Sequence, residues 1–366
     1  MRIDFIDGLR GLSALGVVYV HYCTLFNPFI PMGFYNHAAI VCEFFVISGF
    51  VLSYRFWKNQ DSEQLTSSSL RRYVRLTSAP LVSILISYLL MKFSLYRHVE
   101  IFNLTGSTEM TQAFFNFEPK LYDALYESLW GMYFSYHQPE SYSPVLWTMQ
   151  WELKGSLLTA AFLALFGKVR RRWILYLILL IISIDTLYPT FIFGVMFSDL
   201  LYSKEGRQLH ESLKKQKFLA ISLFCIGAFL SIYASDFPTD IYKNLEFEFL
   251  RQNGINSDVF YHMVSAVMIM YAVIHLNILK KTLSWKVLTK IGEYSFSLYL
   301  IHIQVVCSVG AFVFLEIYNR GYDMTTCILF GSLSAILVTI PAAILLHRYV
   351  DMPAAKLAKR VQKFFE

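Results

Sequence analysis

The sequence predicts an all-α, polytopic transmembrane helical bundle of about ten helices with both termini in the cytoplasm. Three observations predict it. Of 366 residues, 56% are hydrophobic and only 16% charged, whereas a soluble chain carries about a quarter charged residues. The apolar residues come in blocks near the roughly 20 residues that a helix needs to cross a bilayer. The basic residues then alternate from one connection to the next. Twenty-three of the 32 Lys and Arg follow the even-numbered blocks, in clusters such as Lys168–Arg172 and Lys280–Lys290. The intervening connections hold Arg97, Lys120, Lys243, Arg251 and Arg320. Because Lys and Arg are retained on the cytoplasmic side, the net charge of +6 reports orientation and requires no nucleic-acid partner.

In order, the blocks fall near 9–26, 37–55, 77–96, 145–166, 172–187, 188–203, 217–234, 258–278, 292–315 and 326–348. The fifth and sixth are short and parted only around Pro189, so they are either a tight hairpin or one broken segment; nine or eleven spans are the alternatives. The first block lacks a small-residue cleavage site and is expected to stay as a span. The longest external connection, 97–143, contains the aromatic stretch "LYDALYESLWGMYFSY", which either lies in the interface or dips into the protein. The five cysteines all sit in apolar blocks without metal-ligand spacing and read as small hydrophobes; no metal is expected. No internal repeat or fused soluble domain stands out, so residues 1–366 read as one membrane-embedded domain.

Ionisable residues inside spans are costly and mark a pathway or a site. Arg10 and His21 are eleven residues apart in "DGLRGLSALGVVYVHY". Eleven helical steps return to within about 20° of the same face, roughly 16 Å along the axis. At about 1.5 Å per residue, His21 lies about 18 Å up the first helix and Glu43 about 9 Å below the outer end of the second. Glu152 lies about 10 Å down the fourth, beside Trp147 and Trp151, and His302 about 15 Å up the ninth. All four share one band of a core about 30 Å thick. Plainer readings stand beside these: a snorkelling anchor for Arg10, an interhelical hydrogen bond for His21, capping or pairing within the bundle for Glu43 and a structural role for His302, whereas an unpaired carboxylate at Glu152 is costly. Arg72 and Arg75 in "LRRYVRLTSAP" are neighbours on a helical turn, and their forked donors suit phosphate, although basic residues there also satisfy the orientation rule alone.

The chain resembles acyltransferase family 3, the multi-pass membrane O-acyltransferases of cell-surface glycans and some small molecules. The resemblance rests on "DGLRGLSALGVVYVHY", "EFFVISGFVLS", "LRRYVRLTSAP", "LWTMQWELKGS", "IGEYSFSLYLIHIQV" and "HRYVDMPAAKL", in the family's order over nearly the whole chain. It implies an acyl-CoA donor, acetyl-CoA by default, bound from the cytoplasm with no permanent cofactor. It implies His21 as the catalytic histidine and Arg10, Arg72 and Arg75 as donor-binding arginines, with Glu152 in the family's Trp-rich carboxylate element. The closing element, usually Glu-x-Pro, is Asp351-x-Pro353 here.

Acyl transfer from a thioester to a hydroxyl needs a base near pH 7, which imidazole supplies. His21 is expected to take the acceptor's proton or to carry the acyl group, with Glu152 orienting it as in a triad. Ser48 and Gly49 are expected either to line the donor channel or to permit close helix packing. Glu43 and His302 are further candidates. The acceptor is expected to be a glycan or lipid-linked sugar, with small hydrophobic alcohols open, and the bilayer is the other partner. A bacterial inner membrane is expected, a eukaryotic endomembrane being the alternative; a homodimer is left open. The competing function classes are a proton-coupled transporter of an acylated or anionic solute, with His21, Glu43 and Glu152 as relay, and a scaffold in glycan export.

Overall fold

The computed structural model describes residues 3–26, 36–59, 63–106, 113–233, 250 and 252–365. Lys243 and Arg251, used above to assign orientation, lie outside the described residues. Helices dominate throughout, with no strand among the described residues. The principal ones are α1 (Asp4–Phe26), α2 (His37–Asn59), α3 (Glu63–Lys92), α4 (His98–Thr105), α5 (Leu121–Tyr126), α6 (Trp147–Phe166), α7 (Arg172–Ile182), α8 (Tyr188–Tyr202), α9 (Lys204–Leu213), α10 (Lys217–Leu230), α11 (Ser257–His275), α12 (Asn277–Leu283), α13 (Lys286–Val305), α14 (Ala311–Asn319), α15 (Met324–Leu346) and α16 (Met352–Phe365).

Each of the ten apolar blocks overlaps helical residues, the ninth running through α13, a π turn and α14. Five helical stretches are long and apolar enough to cross a membrane: His37–Asn59, Arg71–Lys92, Ser257–His275, Lys286–Asn319 and Met324–Val361. The fifth and sixth blocks are two helices, α7 and α8, parted by a turn in which Thr186 donates to the Ser183 carbonyl (2.7 Å), with Pro189 in the first turn of α8. Side chains cap several helix starts. Asn256 accepts from the Val259 N–H (3.1 Å), Asp323 from Thr326 (3.1 Å) and Ser203 from Gly206 (2.9 Å), each satisfying a backbone donor left open by helix geometry.

The chain forms two compact units, each built from three stretches of sequence. Unit 1 comprises Met1–Ser13, Met32–Ser69 and Lys154–Gly292. Its centre is α2, packed against α8 and α11, with α10 on the far side of α11. The α2–α8 crossing is set by glycine: a Cβ on Gly194 would lie 2.1 Å from the Val46 carbonyl oxygen, and one on Gly49 would lie 2.2 Å from that of Phe191. Backbone cannot yield as a flexible side chain can. Gly194→Ala is therefore expected to lower stability by about 1–3 kcal/mol, the usual cost of overpacking, read as an earlier thermal midpoint in detergent. An unchanged midpoint would count against this crossing.

Unit 2 comprises Ala14–Pro31, Leu70–Leu153 and Glu293–Glu366. Its core holds Ala79, Ile84, Tyr133, Tyr142, Leu146 and Leu300, all almost fully buried. Here the aromatic stretch of the long connection folds back along α3. Helix α5 runs into a π turn (Glu127–Gly131) and a final turn (Met132–Phe134). The Tyr73 hydroxyl donates to the Leu129 carbonyl, and Thr77 meets the Tyr133 hydroxyl at 3.0 Å. The stretch buries Glu127, Ser128, Met132 and Tyr133 and leaves Tyr122, Tyr126, Trp130 and Phe134 exposed. Elsewhere in the unit α14 packs on α15, and Phe26 stacks on Phe314 (centroids 5.7 Å).

Candidate functional site

Helix α1 is continuous from Asp4 to Phe26, so Arg10 and His21 share a helix face as the spacing predicts. Between them on that face Ala14 and Val17 are buried, while Leu12, Leu15 and Tyr19 on the opposite side are 40–50% exposed. The costly groups thus sit on the protein-facing side of an otherwise apolar helix.

In unit 2, the His21 ring meets His302. His302 Nε2 lies 3.1 Å from His21 Nδ1, with ring centroids 5.0 Å apart. The carbonyl partners decide the proton positions. His302 Nδ1 lies 3.1 Å from the Leu298 carbonyl, and a carbonyl only accepts, so that nitrogen carries the hydrogen. In the neutral ring Nε2 is then an acceptor. His21 Nδ1 faces two acceptors, His302 Nε2 and the Val17 carbonyl at 3.0 Å, so it too carries its hydrogen. This places the basic lone pair of His21 on Nε2, and the fully buried His302 holds that tautomer.

Arg72 is ion-paired with Glu152, both side chains largely buried. The carboxylate expected to orient His21 is thus joined to one of the arginines expected to bind donor, and the ring in hydrogen-bond contact with His21 is that of His302. The ion pair also changes the depth reading. Arg72 was placed at the cytoplasmic mouth and Glu152 toward the outer leaflet, yet they occupy one level. The count took residue 145 as the outer end of the fourth block, an origin that the ion pair with Arg72 does not support. Arg75, one turn on, is exposed.

Unit 2 holds further polar contacts. Gln304 Nε2 donates to Ser83 Oγ (2.8 Å), and Ser83 donates to the Leu300 carbonyl (2.9 Å). Tyr299 donates to the Val145 carbonyl (2.7 Å), and His347 pairs with Asp351 (2.9 Å) across a π turn. Asp351, where the family pattern has Glu, is therefore engaged within its own helix.

Glu127, 8% exposed, pins the folded-back stretch: the Ser141 hydroxyl is in hydrogen-bond contact with it and the Tyr142 N–H donates to it (2.9 Å). Burial pushes its carboxyl from the ordinary 4.5 up to about 7, against the lowering effect of those two hydrogen bonds. The folded state therefore holds this proton more tightly than the unfolded chain. The stabilisation is complete below about pH 4.5 and is lost as pH rises to about 7, on the order of 3 kcal/mol in all. Glu127→Gln is expected to flatten the decline of the thermal midpoint over that range; an unaltered slope would refute the assignment.

Unit 1 holds the remaining candidates. Glu43 is 3% exposed and accepts from the Ser13 hydroxyl (2.8 Å). Arg10 and Ser48 are half-buried, and Gly49 is spent on the α2–α8 crossing. The unit also contains a buried pair that the sequence reading passed over. Arg172 forks onto Asp199 through Nε (2.6 Å) and Nη2 (2.7 Å). Tyr176 donates to the same carboxylate (3.1 Å), and the guanidinium lies 4.7 Å from the Trp57 ring centroid. The signal was present: Asp199 is an ionisable residue within the sixth apolar block. Among the described residues no group of three His, Cys, Asp or Glu is placed to hold a metal.

The family model described as "Acyltransferase domain" matches residues 3–347, and the chain belongs to acyltransferase family 3. Two curated relatives agree. "Acyltransferase clz18" of Cochliobolus lunatus is 26% identical, over 88% of this chain and 80% of its own length. "Acyltransferase R4" of Phoma sp. is 23% identical, over 90% of this chain and 81% of its own. No solved structure matches. The protein is an acyltransferase, and its apolar helices mark it as a membrane protein.

Proposed function

We propose that the protein moves an acyl group, acetyl by default, from acyl-CoA to a hydroxyl, with a glycan or lipid-linked sugar as acceptor. The observation that carries this reading is the His21–His302 contact, which leaves a neutral imidazole with its basic nitrogen defined. His21 Nε2 removes the acceptor's hydroxyl proton as the oxygen attacks the thioester carbonyl; the C–S bond then breaks and the imidazolium returns the proton to the departing CoA thiolate. His302 acts through His21 as a positioning residue. The Arg72–Glu152 pair of unit 2 holds a guanidinium in a fixed orientation for the donor's phosphates, with Arg75 one turn further along α3.

The transporter reading finds no support in the family assignment. The two relatives come from fungi, which favours an endomembrane over a bacterial inner membrane. The test is turnover of acetyl-CoA by the purified protein with a panel of sugar and lipid-linked sugar acceptors, alongside mass spectrometry of cellular glycans with and without His21→Ala. Thiol release that depends on acceptor supports the reading. Turnover with hydrophobic alcohols but no sugar would replace the acceptor class, and no turnover with any acyl-CoA would remove the donor.

A further inference from the structure

A further cluster in unit 1 includes none of the candidate site residues named above. It is built by α9, α11 and α12. His275, 5% exposed, faces the Tyr271 carbonyl through Nδ1 (2.8 Å), which puts its hydrogen there and its lone pair on Nε2. That nitrogen is buried and has no hydrogen-bond partner. The same holds for His210 Nδ1 and for the Tyr271 hydroxyl. The three groups adjoin: the His210 and His275 rings are 5.0 Å apart, and Tyr271 stacks on His275 at 4.1 Å. Few buried polar groups in a folded protein go unpaired, and three together call for a ligand.

The charges nearby give its sign. Lys280 is half-buried, and its described contact is the face of Phe5, 5.5 Å away; it makes no ion pair among the described residues. Burial, and then Lys214, lower its ammonium below the ordinary lysine value. Burial, and then His275 and Lys280, likewise lower His210, with Glu211 opposing. Glu211, the one carboxylate among the described residues that acts on His210, is exposed and lies 3.9 Å from Lys214, on the rim. A metal ion would face two lysines. An anion would relieve their mutual repulsion and satisfy the orphaned groups, since a phosphate monoester offers oxygens to the phenol and ammonium and a P–OH to an imidazole lone pair.

We propose that His210, Tyr271, His275 and Lys280 form a phosphate-binding site, with Lys214 at its edge, on the Lys/Arg-rich side of the chain. Two sources share this chemistry: the phosphates of the CoA donor and the headgroup of an acidic lipid. Only assignment to the donor rests on the function proposed above; the site itself does not.

The test uses the full-length purified protein in a neutral detergent with inorganic phosphate as probe, read by calorimetry. Wild-type protein is expected to bind phosphate, and Lys280→Met and His275→Gln each to weaken it about tenfold, the worth of one charge-assisted hydrogen bond. Both variants are expected to keep the wild-type thermal midpoint in phosphate-free buffer; if Lys280→Met unfolds, His275→Gln and Tyr271→Phe carry the comparison. Competition by CoA but not by pantetheine identifies the donor, and competition by short-chain phosphatidic acid alone identifies a lipid headgroup. Absence of phosphate binding in the wild type, equal binding by folded variants, or binding of zinc in place of phosphate would overturn the site. Phosphate binding without acyl transfer would leave it standing while removing the proposed reaction.

Discussion

His21→Ala is expected to lower acyl transfer by about two to four orders of magnitude, the usual contribution of a positioned general base, with the thermal midpoint nearly unchanged. His21 is half-buried, so removing its ring leaves a modest void. The companion substitutions separate base from support. His302→Leu removes the acceptor opposite His21 Nδ1 and releases the tautomer, whereas His302→Gln keeps an oxygen able to accept. The kcat is therefore expected to fall in His302→Leu with KM little changed, and to return toward wild type in His302→Gln. A His302→Leu rate lowered only in proportion to folded protein would reduce His302 to a packing residue. Full activity in His21→Ala would end the base assignment.

Arg172→Ala is expected to give the largest loss of stability, about 3–5 kcal/mol, as when one partner of a buried ion pair is removed. Arg172 and Asp199 are each 8% exposed. Truncation strands the carboxylate with only Tyr176 as described donor and vacates the face of Trp57. Arg172→Lys keeps charge but loses the fork and should fall between. Replacing both partners by apolar residues of similar volume should recover most of the loss, because no unpaired charge then remains. Denaturation in detergent reads all three. A double replacement as unstable as Arg172→Ala would show that the pair itself, and not the stranded charge, supplies the stability.

The residues of α1 show how far the sequence alone reached. Composition and block length announce helices because bilayer thickness and backbone hydrogen bonding leave little else. The eleven-residue spacing fixes Arg10 and His21 on one face because helical geometry is local. Family motifs then point to His21 and to Arg72. Depth counted along separate helices was less secure, since it needs a common origin, and the Arg72–Glu152 ion pair shows that the origin assumed for Glu152 did not hold. Asp199 and Gln304 were readable as polar groups in apolar blocks, but nothing local says what they meet.

The sequence by itself determined the helices, their apolar faces and the histidine to examine, all consequences of short-range periodicity and of the cost of polar groups in hydrocarbon. The partners were decided only in three dimensions. His302 lies 281 positions from His21, Glu152 lies 80 from Arg72, and Asp199 lies 27 from Arg172. A hydrogen bond acts over about 3 Å, and such proximity between distant segments is set by packing, down to the glycines that let α2 and α8 touch.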